Sequence, residues 1–475
     1  MYLIFDTETT GLPRNKTAPI SDLDNWPRLV QLAWQLHDHK GKLINRQNHI
    51  IKPDGFDIPY KAEQVHGIST AKALEVGEHI QEVLQAFQLD LQKSTCLVGH
   101  NIEFDINIIG SELFRLQANY TLLTGANKID TADVSIDFCQ LPGGPGGKFK
   151  MPKLSELHIK LFGKDFGDAH DAAYDVAATG RCFFGLIKAS VVKPLGSLKA
   201  EEVIYEEPVL ESANFAAKKS EGEKKIETNN DAVVTDKPFF HLHVHSQYSV
   251  LQATPEIKKI VAKAKAMNMP AVALTDLGNL YGAFKFVREA LDNGIKPILG
   301  CEFYVAEERK KLKFTKDNPD KRYNQILFAK NKEGYHNLTK LSSLAFIEGL
   351  YGIHPRIDKD LIKQYADGLI ATTGSLQSEI PYLILHVGTK QAEEVFAWYK
   401  EVFKGDFYIQ LNRQRLPEQD HVNKVLLEFA AKYGVKYYAA NEVYYLQQED
   451  ADAQDILICI KEQELKSTPI GHGRG

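Results

Sequence analysis

The sequence predicts an α/β protein of two domains joined by a charged linker, the second domain barrel-like. Three observations support this. The length, 475 residues, exceeds what one hydrophobic core usually serves. Apolar strand-like runs alternate with amphipathic helical stretches on both sides of residues 191–237. That segment itself has almost no apolar periodicity. A hydrophobic content of 44% with 25% charged residues is ordinary for a globular protein, and a net charge of −5 excludes a generally basic nucleic-acid binder. Cys96, Cys139, Cys182, Cys301 and Cys459 are widely spaced and form no C-x-x-C pair, which fits a reducing cytoplasm and offers no zinc site. The opening apolar run, Tyr2 to Phe5, meets Asp6 at once, so no signal peptide is expected; neither is a membrane span, and the expected location is cytoplasmic.

In the first domain, residues 1–190, Tyr2 to Phe5 read as a buried strand that delivers Asp6 and Glu8 to its end. An i, i+2 spacing on a strand puts both carboxylates on one face, an arrangement that suggests a divalent cation between them. Leu29 to His37 and Leu43 to Lys52 are strands around the hairpin signal Asp38-His39-Lys40-Gly41. A helix over Gly77 to Leu91 is followed by a short buried strand, Cys96 to Gly99. His100-Asn101-Ile102-Glu103-Phe104-Asp105 leads into a second helix, on which Phe104, Ile108 and Ile109 recur at helical spacing. Pro142 to Lys150, with Gly-Gly-Pro-Gly-Gly inside it, is an irregular loop, Leu154 to Leu161 a helix, and Ala169 to Asp175 opens the last helix.

Asp6 with Glu8, then Asp105, then His170 with Asp175 form three acidic clusters on separate elements. D-x-E at the first strand, H-N-x-x-F-D at a strand-to-helix junction and H-x-x-x-x-D in a late helix resemble the motifs of the DEDDh exonucleases, of the DnaQ-like, ribonuclease H-like fold. The resemblance implies a 3′-5′ exonuclease with two Mg²⁺ or Mn²⁺ ions. Asp6, Glu8 and Asp175 would hold one ion, Asp6 would bridge to the second with Asp105 supporting it, and His170 would be the general base. Carboxylates suit this chemistry because hard divalent ions prefer oxygen ligands, and an imidazole titrates near neutral pH. Thr9, Thr10, Gly11 and His66, the last within Gln64-Val65-His66-Gly67, would approach the terminal nucleotide. Asp168 and Asp171 flank His170 as rival acids, and Asp175 is preferred because its spacing matches the family.

Residues 191–237, with Glu-Glu pairs and Lys218-Lys219-Ser220-Glu221-Gly222-Glu223-Lys224-Lys225, read as a flexible linker, because such a segment buries too little surface to offset its ordering entropy. In residues 238–475 the expected strands are Phe240 to His245, Ala271 to Thr275, Ile298 to Val305, Gln325 to Ala329, Leu369 to Thr372, Phe407 to Leu411 and Lys436 to Ala440. Helices between most of them predict a parallel barrel. His241, His243 and His245 alternate along the first strand and should share one face.

His241-Leu242-His243-Val244-His245-Ser246, Ala273-Leu274-Thr275-Asp276, Lys296 to Glu302, Leu327 to Asn331 and Pro355-Arg356-Ile357-Asp358 resemble the PHP (polymerase and histidinol phosphatase) domain, a (β/α)7-like barrel, in the form that opens bacterial DNA polymerase III alpha subunits. Metal-binding PHP domains carry about nine ligands by that resemblance. This chain keeps His243, His245 and Glu302, with Asp276 beside them, but has Gln252, Leu277, Asn324, Ser375 and Asn441-Glu442-Val443-Tyr444 at other ligand positions. A leucine, a tyrosine and amides are poor metal ligands, so a structural PHP domain with few or no metals is expected. The resemblance implies DNA 3′ ends, single-stranded or frayed, together with the remaining polymerase core and replisome subunits as partners. The chain itself is expected to be the N-terminal part of a longer protein. The rival expectations are a non-catalytic scaffold and a PHP phosphoesterase.

Overall fold

The computed structural model describes residues 1–166, 171–196, 198–208, 239–315 and 318–468. The chain divides into two compact units, Met1–Thr228 and Asn229–Gly475.

The first unit runs β1 (Tyr2–Thr9), β2 (Leu29–His37), β3 (Leu43–Ile50), α1 (Tyr60–His66), α2 (Thr70–Val76), α3 (Ile80–Lys93), β4 (Cys96–Gly99), α4 (Ile102–Arg115), α5 (Thr121–Thr124), β5 (Lys128–Asp130), α6 (Ile136–Cys139), α7 (Leu154–Phe162) and α8 (Ala172–Lys188). Its sheet has the order β3-β2-β1-β4-β5, with β1 antiparallel to β2 and parallel to β4. Strand alternation sorts β1 into two faces. Leu3 and Phe5 enter a core with Phe87, Ile106, Ile109 and Leu113 of α3 and α4. Tyr2 and Ile4 enter another with Val176, Phe183 and Ile187 of α8. Asp6 and Glu8 continue the α8 face and Thr7 the α4 face. The β1 pairing extends to Thr9, so the two acids stand within the strand and not beyond its end. The register shifts between Glu8 and Thr9 through a β-bulge in β2, with Glu8 opposite Gln31, Thr9 opposite Leu29 and Val30 the extra residue.

The described residues of 191–208 do not behave as a linker. Val192 and Val203 are buried in the α8-side core, and Tyr205 stacks on Phe184 at 5.0 Å. The Ile204 and Glu206 amides donate to the Lys40 and Gly41 carbonyls. Apolar residues spaced too widely to show a period were enough to dock this stretch on the β2–β3 hairpin. The rest of the expected linker, 209–237, lies outside the described residues.

The second unit runs α9 (Ile257–Ala266), β6 (Ala271–Leu274), α10 (Ala283–Asp292), β7 (Lys296–Ala306), β8 (Arg322–Ala329), α11 (Lys332–Glu348), β9 (Leu350–Tyr351), β10 (His354–Ile357), α12 (Lys359–Gln364), β11 (Leu369–Thr372), α13 (Glu379–His386), α14 (Thr389–Phe403), β12 (Phe407–Asn412), α15 (Pro417–Tyr433), β13 (Tyr437–Ala440) and α16 (Ala451–Glu462). Residues 241–245 and the six strands β6, β7, β8, β11, β12 and β13 form seven staves in ring order, closed by the Val244–Val443 bridge. Two expectations change here. β8 is antiparallel to both β7 and β11, because no helix among the described residues between β7 and β8 crosses over to return the chain parallel. The first stave is not a regular strand. Ala273 and Thr275 donate to His241 and Val244, three residues apart against two, so the stave carries one extra residue.

Candidate active site

In the first unit, carboxylate oxygens of Asp6, Glu8 and Asp175 all lie within 4.8 Å of one another. β1 supplies the first two on its α8 face. α8 supplies the third in its first turn, where the Asp171 side chain caps the helix by accepting from the Ala173 amide. Asp105, 3% exposed in the first turn of α4, adds a fourth negative charge to this group. The crowding holds protons on the acids. Asp6 titrates well above the usual carboxylate range through burial, then through the charges of Asp105, Asp175 and Glu8. Glu8 is pushed up to about 9 by burial, then by Asp175, Asp105 and Asp171. Asp105 is pushed up to about 7 by burial, against the pull of its hydrogen bonds from Thr7.

Three converging hard oxygen donors that repel one another fit a divalent cation. Asp105 stands apart from that trio because Thr7 grips it: the Thr7 amide and hydroxyl both donate to Asp105 Oδ1, at 3.0 and 2.6 Å. Thr7 was missed in the sequence, although its parity on β1 puts it on the α4 face. Asp171, weighed as a rival acid, serves the α8 cap and accepts from the Gln31 amide at 3.2 Å. His170 and Asp168 lie outside the described residues.

Among the expected nucleotide contacts, Thr9 Oγ1 donates to the Gly11 carbonyl at 2.6 Å. Thr10 exchanges two hydrogen bonds with the Arg28 backbone, each 2.9 Å. His66 is buried at the end of α1, where Nδ1 accepts from the Ile68 amide, and it does not join the carboxylate trio.

The second unit holds the other candidate cluster, His243, His245 and Glu302, all fully buried. Glu302 Oε2 lies 3.2 Å from His243 Nε2 and 3.1 Å from His245 Nε2. Neighbouring side chains contact all three residues. Asn324 donates to Glu302 Oε1 at 3.0 Å, Gln410 to His243 Nδ1 at 3.1 Å, and Tyr444 stacks on His245 at 4.3 Å. Asp276 accepts from the Ser246 amide and hydroxyl and from Ser249. Leu277 is buried. His241 does not share the face of the other two histidines, because the extra residue in the stave breaks their alternation. Its ring meets Phe239 edge-on at 4.9 Å and lines a separate cavity of about 420 Å³ with Met267 and Met269.

Residues 3–183 match the family described as Exonuclease, and residues 241–414 match the PHP domain. The first unit thus carries an exonuclease domain, of a metal-dependent family, and the second a PHP domain. In that order they accompany similarity to DNA polymerase III subunit alpha. The protein of that name from Borreliella burgdorferi is 47% identical over 229 residues, covering 48% of this chain and 20% of that protein. The Treponema pallidum protein is 40% identical over 232 residues, 49% of this chain and 20% of that protein. The chain therefore spans about one fifth of the length of these relatives. Escherichia coli exonuclease I in complex with a dA16 oligonucleotide is 22% identical, with a TM-score of 0.32 over 40% of each chain, a likeness that adds nothing to the family match. No helix among the described residues is long and apolar enough to cross a membrane.

Proposed function

We propose that this chain supplies the editing activity of a replicative DNA polymerase of the III alpha type. Its first unit removes nucleotides from single-stranded or frayed DNA 3′ ends in the 3′-5′ direction, and its PHP unit is a scaffold. The observation that carries this reading is the convergence of Asp6, Glu8 and Asp175 beside Asp105 in a domain that matches the exonuclease family. The reading places two Mg²⁺ or Mn²⁺ ions among these acids, where they would supply counter-charge for the attacked phosphate and the departing oxygen. Asp6, Glu8 and Asp175 hold and space that charge. Asp105, held by Thr7, supports it from the α4 side. Thr9, Thr10 and Gly11 present hydroxyl and backbone groups to the terminal nucleotide. His170 takes the proton of the attacking water, a role that suits an imidazole near neutral pH. The remaining replisome subunits are the partners of this reading.

For the PHP unit, the support is the internal use of its acids and imidazoles. Glu302 lies 3.2 and 3.1 Å from the two imidazoles and accepts from Asn324, and Gln410 donates to His243, so these groups are engaged with one another inside the protein. The test is incubation of the full chain with Mg²⁺ or Mn²⁺ and a 5′-labelled single strand, beside Asp6→Ala and His243→Ala. A stepwise ladder that is lost in Asp6→Ala and kept in His243→Ala is expected. A ladder that survives Asp6→Ala and disappears in His243→Ala overturns the reading.

A further inference from the structure

We propose that Glu112 is a positioning residue for the 3′-terminal nucleotide, acting through the β-bulge that follows Glu8. The inference rests on the exonuclease reading above. Asp105 and Glu112 are seven residues apart on α4 and so share one face, which lies against β1 and β2. Both are buried carboxylates, Glu112 only 1% exposed. Asp105 is spent on Thr7 and the acid cluster. Glu112 is spent on the start of β2: its Oε1 accepts from the Leu29 amide at 3.1 Å and from Arg28 Nε at 2.8 Å. The same oxygen lies 2.9 Å from Arg115 Nη1, and Arg115 itself donates to the Leu23 and Trp26 carbonyls.

The extra residue of the bulge is Val30 of β2, since Gln31 and Leu29 stand opposite Glu8 and Thr9, and Arg28 and Leu29 are the residues beyond it. Leu29 pairs with Thr9 across the register shift. The Arg28 backbone exchanges two hydrogen bonds with Thr10, and its guanidinium lies over the Phe56 ring at 4.2 Å. A bulge leaves its strand locally without regular ladder support and re-aims the residues beyond it. Glu112 replaces that support with one buried oxygen that takes the Leu29 amide and Arg28 Nε just beyond the bulge, and so fixes the backbone that Thr9 and Thr10 pair with. The direction of Thr9, Thr10 and Gly11 follows from it.

The acids ahead of the bulge do not depend on this contact. Asp6 and Glu8 sit in an unbroken ladder from Tyr2–His37 to Glu8–Gln31, and Asp105 is fixed by Thr7. Withdrawing the Glu112 oxygen therefore loosens the groups that receive the nucleotide and leaves the acid cluster in place. An interaction of that kind appears in KM and leaves kcat alone.

Two substitutions separate reach from charge. Glu112→Asp keeps the charge near Arg115 but pulls the oxygen back by one methylene. Glu112→Gln loses the charge but leaves an oxygen at the same reach. Steady-state rates of the full chain with Mn²⁺ on a single-stranded oligonucleotide give kcat and KM for both, with Asp6→Ala as the inactive control. Glu112→Asp is expected to raise KM about tenfold with kcat within about twofold, and Glu112→Gln to stay within about threefold of the parent KM. A merely structural buried charge would give the reverse order. The proposal is overturned if KM rises more in Glu112→Gln than in Glu112→Asp, if KM is unchanged in Glu112→Asp, or if kcat falls in step with the rise in KM. Absence of nucleotide release by the parent chain would instead refute the exonuclease reading.

Discussion

Removing one acid from the cluster should stabilise the metal-free exonuclease unit, and Glu8→Gln is the substitution that shows it. Glu8 titrates at about 9 in the folded chain against an ordinary value of 4.5, because of burial first and then Asp175, Asp105 and Asp171. A carboxyl whose folded value is raised contributes stability that is fully present below 4.5 and is lost as pH climbs through about 9. One pKa unit corresponds to about 1.4 kcal/mol. At about pH 7.5, three units above the unfolded value, the ceiling on the cost is therefore about 4 kcal/mol. Side-chain relaxation and counter-ions bring this to about 1–2 kcal/mol, or roughly 4 °C in the melting of a domain of this size. A glutamine carries no charge at any pH and escapes that cost. Thermal melts in EDTA should show Glu8→Gln above the parent by about 4 °C at about pH 7.5 and level with it near pH 5. Added Mn²⁺ should raise the parent and leave Glu8→Gln nearly unmoved. If Glu8→Gln melts at or below the parent in EDTA at the higher pH, the carboxylates do not repel one another as the geometry requires.

Other outcomes follow from the same contacts. Thr7→Val deletes the hydroxyl that donates to Asp105 at 2.6 Å and helps hold its carboxyl down, so Asp105 should titrate further above about 7. The acidic limb of the pH–rate profile should then move to higher pH, and an unmoved limb would contradict the role given to Thr7. Tyr205→Ala removes a ring stacked on Phe184 and should cost the first unit about 2–3 kcal/mol in a denaturant titration, whereas a free linker at this position would give no change. Glu302→Gln should cost the second unit about 3 kcal/mol, because it strands His243 and His245 in a fully buried site. Burial acts to raise Glu302, but the two imidazoles hold it well below the carboxylate range, so the charge being removed is the paired form. The exonuclease rate should not respond to that change.

Most of the first unit was legible because its signals are local. An i, i+2 pair on a strand fixes a shared face whatever the rest of the chain does, and Asp6 and Glu8 kept theirs. The strands Leu29–His37 and Cys96–Gly99 stand where their apolar runs placed them. Thr7 was overlooked for the opposite reason. A threonine between two acids reads as strand filler until the helix that carries Asp105 is packed against the other side of β1. The bulge after Glu8 was equally silent, since it exists only in the pairing of Thr9 with Leu29 and in the buried oxygen of Glu112.

In the second unit the one local rule that failed shows what such rules assume. Alternation placed His241, His243 and His245 on one face on the premise of a regular strand. The first stave closes the barrel against two neighbours at once, and it meets them out of step. Val443 bonds to His243 and His245 on one side, two residues apart, while Ala273 and Thr275 bond to His241 and Val244 on the other, three apart. The extra residue turns His241 away and leaves His243 and His245 directed at Glu302. Neither count is visible in the histidine spacing, because both belong to partners some thirty and two hundred residues away in the chain. The residue types at the expected ligand positions, by contrast, need no pairing to be read. Asn324, where it stands, donates a hydrogen bond to Glu302, while Gln410, which the sequence did not single out, donates to His243 from β12.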